Sequence, residues 1–120
     1  MENNEWLEYK IQIRERLRIF ALQILELSEK FPNSNRGRIL NNQITRSGSS
    51  MYANYRAALR GRSKAEFFAK LSISVEEADK TEIDLILTSG IITSSIVKQM
   101  HIESLELLKI LASMRKRNSS

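Results

Sequence analysis

Two groups of polar residues in the middle of the chain have side chains that could act in catalysis or bind a metal ion. The first group is Arg46, Ser47 and Asn54, and the second is Glu77 and Glu82. Two carboxyl groups held close together could transfer a proton or bind a metal ion. The first group falls on a helical apolar repeat, so its side chains are expected inside the protein, where an unpaired polar group costs about 1–3 kcal/mol. The first question is therefore whether these residues form a reactive site or a structural one.

The metal interpretation fails on the ligands available. A di-iron carboxylate bundle uses Glu-x-x-His motifs on two helices. The single histidine, His101, has Lys98 three residues before it and Leu105 one turn later, and the chain contains no cysteine. We therefore predict no metal, no cofactor and no catalytic residue, and we predict that the protein is not an enzyme.

A structural role explains the same residues. In this interpretation Arg46 pairs with an acid of the third helix, Glu77 or Glu82, while Ser47 and Asn54 form hydrogen bonds across the helix interface. A buried charge pair contributes little stability, but it can select one helix arrangement among several. The alternative is that Arg46 faces a subunit boundary.

Four amphipathic helices would position these residues. Apolar positions recur in steps of four and three from Ile13 to Phe31, and the same spacing runs from Leu40 to Ala58 through Ser47, Met51 and Asn54. The pattern predicts helices at about 5–31, 34–60, 64–88 and 94–115, followed by a basic tail at 115–120. Residues 1–120 are then one domain, an all-α, up-down-up-down antiparallel four-helix bundle.

The ends and faces of these helices carry further signals. Pro32 stops the first helix, and the Asn and Ser residues after it, including Ser34, can cap the second. Ser63-Lys64-Ala65-Glu66 has the spacing of a capping box at the start of the third. The third stripe is predicted to run through Phe68, Leu71, Val75, Ala78 and Leu85. Apolar residues also lie off the main stripe of the first helix, which indicates a second neighbour or another subunit. These are Ile11, Ile19, Leu22 and Leu25.

Positive charge is concentrated in the second helix and the turn after it. Residues 36–70 contain eight basic residues and one acidic residue, although the net charge of the whole chain is only +5. A polyanion or an acidic protein surface is therefore a candidate partner. The candidate nucleic-acid-binding residues are Arg36, Arg38, Arg56, Arg60, Arg62 and Lys64. The aromatic residues Tyr52 and Tyr55 are expected to pack in the core or at an interface rather than to stack on bases.

The sequence also bears on the compartment. The chain has no cysteine, no apolar run long enough to span a membrane, and no signal-peptide pattern at its start. We predict a cytoplasmic protein with no membrane partner.

Several of these segments together resemble a known family, the rRNA intervening-sequence proteins, named for reading frames inserted in 23S ribosomal RNA genes. The similar segments are Phe20-Ala21, Gln43-Ile44-Thr45-Arg46-Ser47 through Asn54, Gly61-Arg62-Ser63, Phe67 through Ser72, Glu77-Ala78, Thr81-Glu82, Leu85 and Ser89-Gly90-Ile91. The chain departs from the family pattern at Gly48, at Ala57-Ala58 and at Asp84. The resemblance covers nearly the whole chain.

The resemblance implies a closed ring of identical four-helix bundles, typically a pentamer. The chain also resembles the accessory protein of diversity-generating retroelements, a ring whose basic surface is implicated in binding nucleic acid and a reverse transcriptase. Two functions therefore stay open at this point. One is association with RNA or DNA through the basic surface, and the other is an adaptor that docks an acidic protein partner such as a reverse transcriptase or another enzyme.

Overall fold

The computed structural model describes residues 4–81 and 83–118, and this part of the chain is helical with no strand. Its helices are α1 (Asn4–Ser28), α2 (Asn35–Leu59), α3 (Lys64–Asp79), α4 (Ile83–Ser89) and α5 (Ser95–Arg117). The molecule is elongated, with extents of 50 × 22 × 19 Å.

Cross-helix contacts give the direction of each helix relative to its neighbours. Tyr55 bonds to Lys10 near one end of the α1–α2 pair, and Asn41 bonds to Ser28 near the other. The residue numbers of the contacts rise along one helix while they fall along the other, so the two helices are antiparallel. The same pattern recurs between α2 and α3, where Met51 meets Ser74 and Ser47 meets Thr81, and between α1 and α5, where Trp6 meets Arg117 and Arg16 meets Glu103. The fold is compatible with the predicted four-helix bundle, with α3 and α4 together forming its third arm.

The core follows the predicted stripe of α1. Ile13, Leu17, Phe20, Ile24 and Leu27 are each at most 2% exposed. They pack in one cluster with apolar residues of all the other helices. The prediction that this spacing defines the core face of a long amphipathic helix is confirmed.

The stripe of α2 differs from the predicted one at two positions, and the first is Leu40, which is only half-buried. Ile44, Ser47, Met51 and Ala58 are buried as predicted, but the position between the last two is filled by Tyr55 and not by Asn54. Both choices satisfy helical spacing, because Tyr55 lies four residues after Met51 and three before Ala58. The large ring removes more apolar surface from water than an amide does, so it takes the core position.

The third predicted helix is interrupted. Backbone bonds from Lys80 and Thr81 close α3, and Ile83 begins α4 with its amide donating to the carbonyl oxygen of Thr81. The break changes which residues face the core, because Ile83 and Ile86 are 0% exposed whereas the predicted core residue Leu85 is 45% exposed. A continuous helix would have carried the stripe through Glu82, at a high desolvation cost. Glu82 itself lies outside the described residues.

The turn between α1 and α2 shows how the sequence ends one helix and starts the next. α1 stops at Ser28, three residues before the predicted end, and the Asn41 side-chain amide donates to the Ser28 carbonyl at 3.0 Å. Ser34 caps α2 as predicted, because its Oγ accepts from the Gly37 amide at 3.1 Å. These bonds satisfy groups that a helix end otherwise leaves without partners.

The apolar residues off the main stripe of α1 are exposed. Ile11, Ile19, Leu22 and Leu25 are 40, 46, 45 and 49% exposed, respectively. We name these four residues the outer stripe of α1. Their placement confirms that α1 is apolar on more than one face.

A charged cluster joins α1 to α5 beside the core. The Arg16 guanidinium donates to both carboxylate oxygens of Glu103, at 3.1 and 2.5 Å, and lies 3.1 Å from Glu106. The hydrogen bond to Glu103 raises the pKa of Arg16 above its usual range. This two-point contact fixes the relative register of the first and last helices.

Candidate nucleic-acid interface

The structure brings three members of the predicted polar network into one cavity of about 450 Å³. Arg46, Ser47 and Glu77 line it together with Lys80. Ser47 is buried and its Oγ lies 3.3 Å from the Oγ of Thr81, so one polar contact does cross between α2 and α3. Glu77 lies 3.7 Å from the Lys80 ammonium.

Arg46 is exposed, and within residues 4–81 and 83–118 no ion pair joins it to an acid. Its pairing with Glu82 remains a prediction, because that residue is not described. The predicted interaction with Glu77 is replaced by the local pair of Glu77 and Lys80 on α3 and its C-terminal turn. A partner three residues away on the same helix costs less side-chain ordering than one on another helix.

Among the described residues, Asn54 has no hydrogen-bond partner across the helix interface. Its side-chain amide donates to the Ser50 carbonyl at 2.9 Å and to the Ser50 hydroxyl at 3.0 Å, both on its own helix. The bond between α2 and α3 in this region is made instead by Ser74, which is 0% exposed and donates to the Met51 carbonyl at 2.7 Å. The reason is the phase of α2, because Tyr55 occupies the inward position and turns Asn54 toward the side.

A larger cleft of about 830 Å³ lies at the end of the bundle where α1 and α3 begin and α2 and α5 finish. Cationic and aromatic side chains from these segments line it. They are Trp6, Lys10, Arg62, Lys64, Phe67 and Arg117. We name this site the basic cleft.

Lys10 lies at the inner side of the basic cleft and is only 6% exposed. Its ammonium is 5.4 Å from the ring centroid of Trp6 and 5.4 Å from that of Phe67. The guanidinium of Arg117 lies over the same Trp6 ring, 4.8 Å from its centroid. The negative faces of the aromatic rings offset part of the repulsion between cations that converge from α1 and α5.

The rim of the basic cleft is held by hydrogen bonds at the start of α3. The Oγ of Ser63 accepts from the Glu66 amide at 3.1 Å, and the Glu66 carboxylate accepts from the Arg62 amide at 2.7 Å. The predicted capping box is present in modified form, because the carboxylate returns to Arg62 and not to Ser63. A side chain at position 61 would be tightly packed, since a Cβ on Gly61 would lie 3.0 Å from the backbone nitrogen of Phe67.

A buried hydrogen bond connects Tyr55 to Lys10, a residue that lines the basic cleft. The Tyr55 hydroxyl donates to the carbonyl oxygen of Lys10 at 2.8 Å, inside the core. Burial raises the pKa of Tyr55 above its ordinary value. This bond ties α2 to the first helix at the residue whose ammonium lies between the two rings.

The six predicted nucleic-acid-binding residues are separated by the fold. Arg62 and Lys64 line the basic cleft. Arg56 and Arg60 are exposed near the same end, with the Arg56 guanidinium 5.4 Å from the Tyr52 ring centroid. Arg36 and Arg38 lie at the opposite end, about 36 Å away for a helix rising 1.5 Å per residue. The fold therefore places four of the six at one end.

Sequence reasoning did not identify Trp6, Lys10, Phe67 and Arg117 as site residues. The available signal was topological, because an even number of antiparallel arms brings the start of the first helix beside the end of the last one. The basic run at Arg115-Lys116-Arg117 could have been placed beside Trp6 on that basis.

Two further features of the described residues bear on the other predictions. Residues 4–81 and 83–118 include no helix that is long and apolar enough to cross a membrane. The same residues hold no group of three or more acids, histidines or cysteines arranged to bind a metal ion. The cytoplasmic location remains a prediction.

The architecture first defines a class: the chain is a small all-helical bundle protein. A family model described as the 23S rRNA-intervening sequence protein matches residues 9–113. The chain belongs to this family.

A solved structure supports the same assignment. The chain is similar to a protein with unknown function from the S23 ribosomal protein family of Bacteroides thetaiotaomicron VPI-5482, with 31% sequence identity and a TM-score of 0.78. The match covers 89% of this chain and 97% of that one. No curated protein matches the chain. Neither the family description nor this neighbour names an enzyme.

Proposed function

We propose that this protein is a non-enzymatic, self-assembling helical bundle that associates with RNA or DNA through its basic end. The basic end comprises the cations of the cleft and the two exposed arginines beside them. They are Lys10, Arg56, Arg60, Arg62, Lys64 and Arg117. The observation that carries the proposal is the convergence of these cations from four helices and a loop on one end of the bundle.

Electrostatics favours an anionic partner at this end. Arg62 and Arg117 are exposed cations of separate segments at this end, and like charges that a fold brings together repel one another. An anionic ligand relieves that repulsion and releases its own condensed counterions on binding. Nucleic acid supplies closely spaced phosphates that match several cations at once.

The aromatic rings favour nucleic acid over an acidic protein. Trp6 and Phe67 are half-buried within the cleft, beside the cations. Binding sites for single-stranded nucleic acid combine a positive groove with such rings. An acidic protein segment would use the charges but has less need of two flat aromatic faces.

The outer stripe of α1 supports self-association. Exposed apolar residues recurring along one helix mark a surface that another protein surface can cover. A homo-oligomer contains one basic end in each subunit. Its positive electrostatic potential is therefore larger than that of a monomer, although the sequence contains no further basic residue. The ring of five subunits is taken from the resemblance to the family and to the retroelement accessory protein.

The test is binding of purified protein to structured RNA and to duplex DNA across a salt series. The matched variant changes Arg56, Arg60 and Arg62 to Glu. Wild type should bind at low salt with little sequence preference, and the variant should lose binding while keeping its helicity and oligomeric state.

Absence of binding by wild type at low salt would reject the nucleic-acid proposal. The adaptor function would then be the remaining candidate, tested by capture of an acidic protein partner with the same variant as control.

A further inference from the structure

We propose that the basic cleft is a single-strand site in which an unpaired base stacks on Trp6 and the adjoining phosphates contact Arg62 and Lys64. This inference rests on the proposed function and deepens it, because it names the form of nucleic acid and the residues that distinguish it. It also assigns a role to the two rings, which binding to phosphates alone does not require.

The dimensions of the basic cleft suit a nucleotide unit. Its volume of about 830 Å³ lies within the range of 300–1,000 Å³ typical of small-ligand sites. Its lining changes from aromatic side chains and the buried Lys10 on the inner side to the exposed Arg62 and Lys64 at the rim. A nucleotide has the same polarity, with a flat base at one end and a charged phosphate at the other.

Trp6 already holds a planar cation. The guanidinium of Arg117 lies 4.8 Å from the centroid of its ring, and Arg117 itself is exposed in the last turn of α5. A base that stacks on the indole can displace this guanidinium, because base–aromatic stacking contributes more than an exposed cation–π contact. The displaced guanidinium then meets the phosphate that enters with the base.

The other aromatic contacts keep Trp6 in place. The Tyr9 ring stacks on it with centroids 5.8 Å apart and planes 23° apart, and the buried Lys10 ammonium lies 5.4 Å from its centroid. A ring fixed by neighbours loses little conformational entropy when a base binds. Trp6 is thus a preorganised platform, and the exposed Arg117 is the side chain that a base displaces from it.

The location of the rings selects single strands. In a duplex the flat faces of the bases are stacked inside the helix, so a half-buried indole cannot reach them. Unpaired bases in loops and strand ends can turn outward and stack on aromatic side chains. The start of α3 is already capped by Ser63 and carries the Glu66 carboxylate, so the phosphate contacts rest on the side chains of Arg62 and Lys64.

The experiment uses the fact that Trp6 is the only tryptophan of the protein. Its fluorescence is followed during titration with a single-stranded RNA oligonucleotide, a duplex of the same sequence, free AMP and inorganic phosphate. The single strand should change the emission in a saturable way and bind about tenfold or more tightly than the duplex. A response to the strand and not to AMP identifies a strand segment as the ligand, whereas an equal response to AMP identifies a free nucleotide and overturns the proposal.

A second measurement follows labelled RNA by anisotropy with variant proteins. Trp6→Leu should weaken single-strand binding about tenfold and leave duplex binding unchanged. Tyr52→Leu, an aromatic change outside the basic cleft, should leave both unchanged. Arg117→Gln keeps the tryptophan and tests whether the single-strand preference falls if Trp6→Leu does not fold.

The outcomes separate this inference from the proposed function. RNA binding that saturates without any change in Trp6 emission overturns the single-strand site and leaves the nucleic-acid function standing. Equal losses of single-strand and duplex binding in Trp6→Leu likewise contradict the stacking role. Absence of RNA binding at low salt overturns both.

Discussion

At the scale of single residues, the bond between Tyr55 and Lys10 connects the core to the basic end. Tyr55 is 0% exposed, and its hydroxyl has one buried partner, a carbonyl 45 positions away in the chain. The sequence predicted that this tyrosine packs inside, but it did not predict the partner, since backbone carbonyls leave no signature in side-chain patterns. The burial of Lys10 was also not predicted. The rings of Trp6 and Phe67 lie over its ammonium only when α1 packs beside α3.

We expect Tyr55→Phe to lower the free energy of unfolding by about 1 kcal/mol, since it removes one buried hydrogen bond and keeps the ring. Urea unfolding followed by circular dichroism measures the change. Tyr52→Phe, at a half-buried ring beside Arg56, is the matched control and should change stability by less. Equal effects of the two substitutions would contradict a special role for the Tyr55 hydroxyl.

The raised pKa of Tyr55 predicts a pH dependence. An unfolded tyrosine ionises near pH 10, whereas burial keeps Tyr55 protonated above that pH in the folded protein. The unfolded state alone then gains from losing the proton, so stability is lost as the pH rises above about 10. The stability advantage of wild type over Tyr55→Phe should therefore shrink above pH 10. An advantage that stays constant to higher pH would contradict the assigned burial effect.

At the scale of elements, helix periodicity predicted most of the fold, and the exceptions have local causes. The stripes of α1 and α2 were identified because apolar spacing persists over about five turns, and Ser34 was identified as a cap by its position after Pro32. The break between α3 and α4 was not predicted, because Thr81 and Glu82 are compatible with a helix interior. It depends on the tertiary gain from burying Ile83 and Ile86.

The contact of α1 with α2 supplies an element-scale prediction at Gly48. A Cβ there would lie 2.9 Å from Cγ1 of Ile24, a core side chain that is 0% exposed. Gly48→Ala should therefore destabilise the bundle by about 1–3 kcal/mol, although glycine to alanine normally favours a helix by about 1 kcal/mol.

The control for this prediction is a double-mutant cycle measured by urea unfolding. The Gly48→Ala substitution should cost clearly less in an Ile24→Ala background, because the clashing atoms are gone. A stabilising effect of Gly48→Ala in the wild-type background would show that the two helices do not require the glycine.

At the scale of the whole molecule, assembly and binding use different surfaces of the bundle. The outer stripe of α1 runs along its side, whereas the basic cleft lies at one end. Sequence reasoning predicted the first directly, because surplus apolar residues are visible in a helical pattern. Of the basic cleft, sequence reasoning predicted only Arg62 and Lys64. The other cationic and aromatic residues of the cleft come from distant parts of the chain and meet only in the folded bundle.

We expect Leu22→Glu with Leu25→Glu to dissociate the proposed oligomer, because two charges in an apolar interface would be buried without partners. Light scattering at micromolar protein measures the mass. Gln99→Glu, at an exposed position on α5, should leave the assembly intact. A wild-type protein that is monomeric under these conditions would reject the oligomer.

The most direct test of the central claim, that the basic end binds nucleic acid, is the salt slope of binding to a single-stranded RNA. Each phosphate contact contributes about −0.7 to the slope of log K against log salt for a single strand. Changing Arg62 and Lys64 to Ala should make the wild-type slope shallower by about 1.4, twice that value. The control pair Arg36→Ala and Arg38→Ala, at the opposite end of α2, should leave the slope unchanged. Equal slopes for wild type and the Arg62/Lys64 variant, or a change confined to the Arg36/Arg38 pair, would contradict the claim.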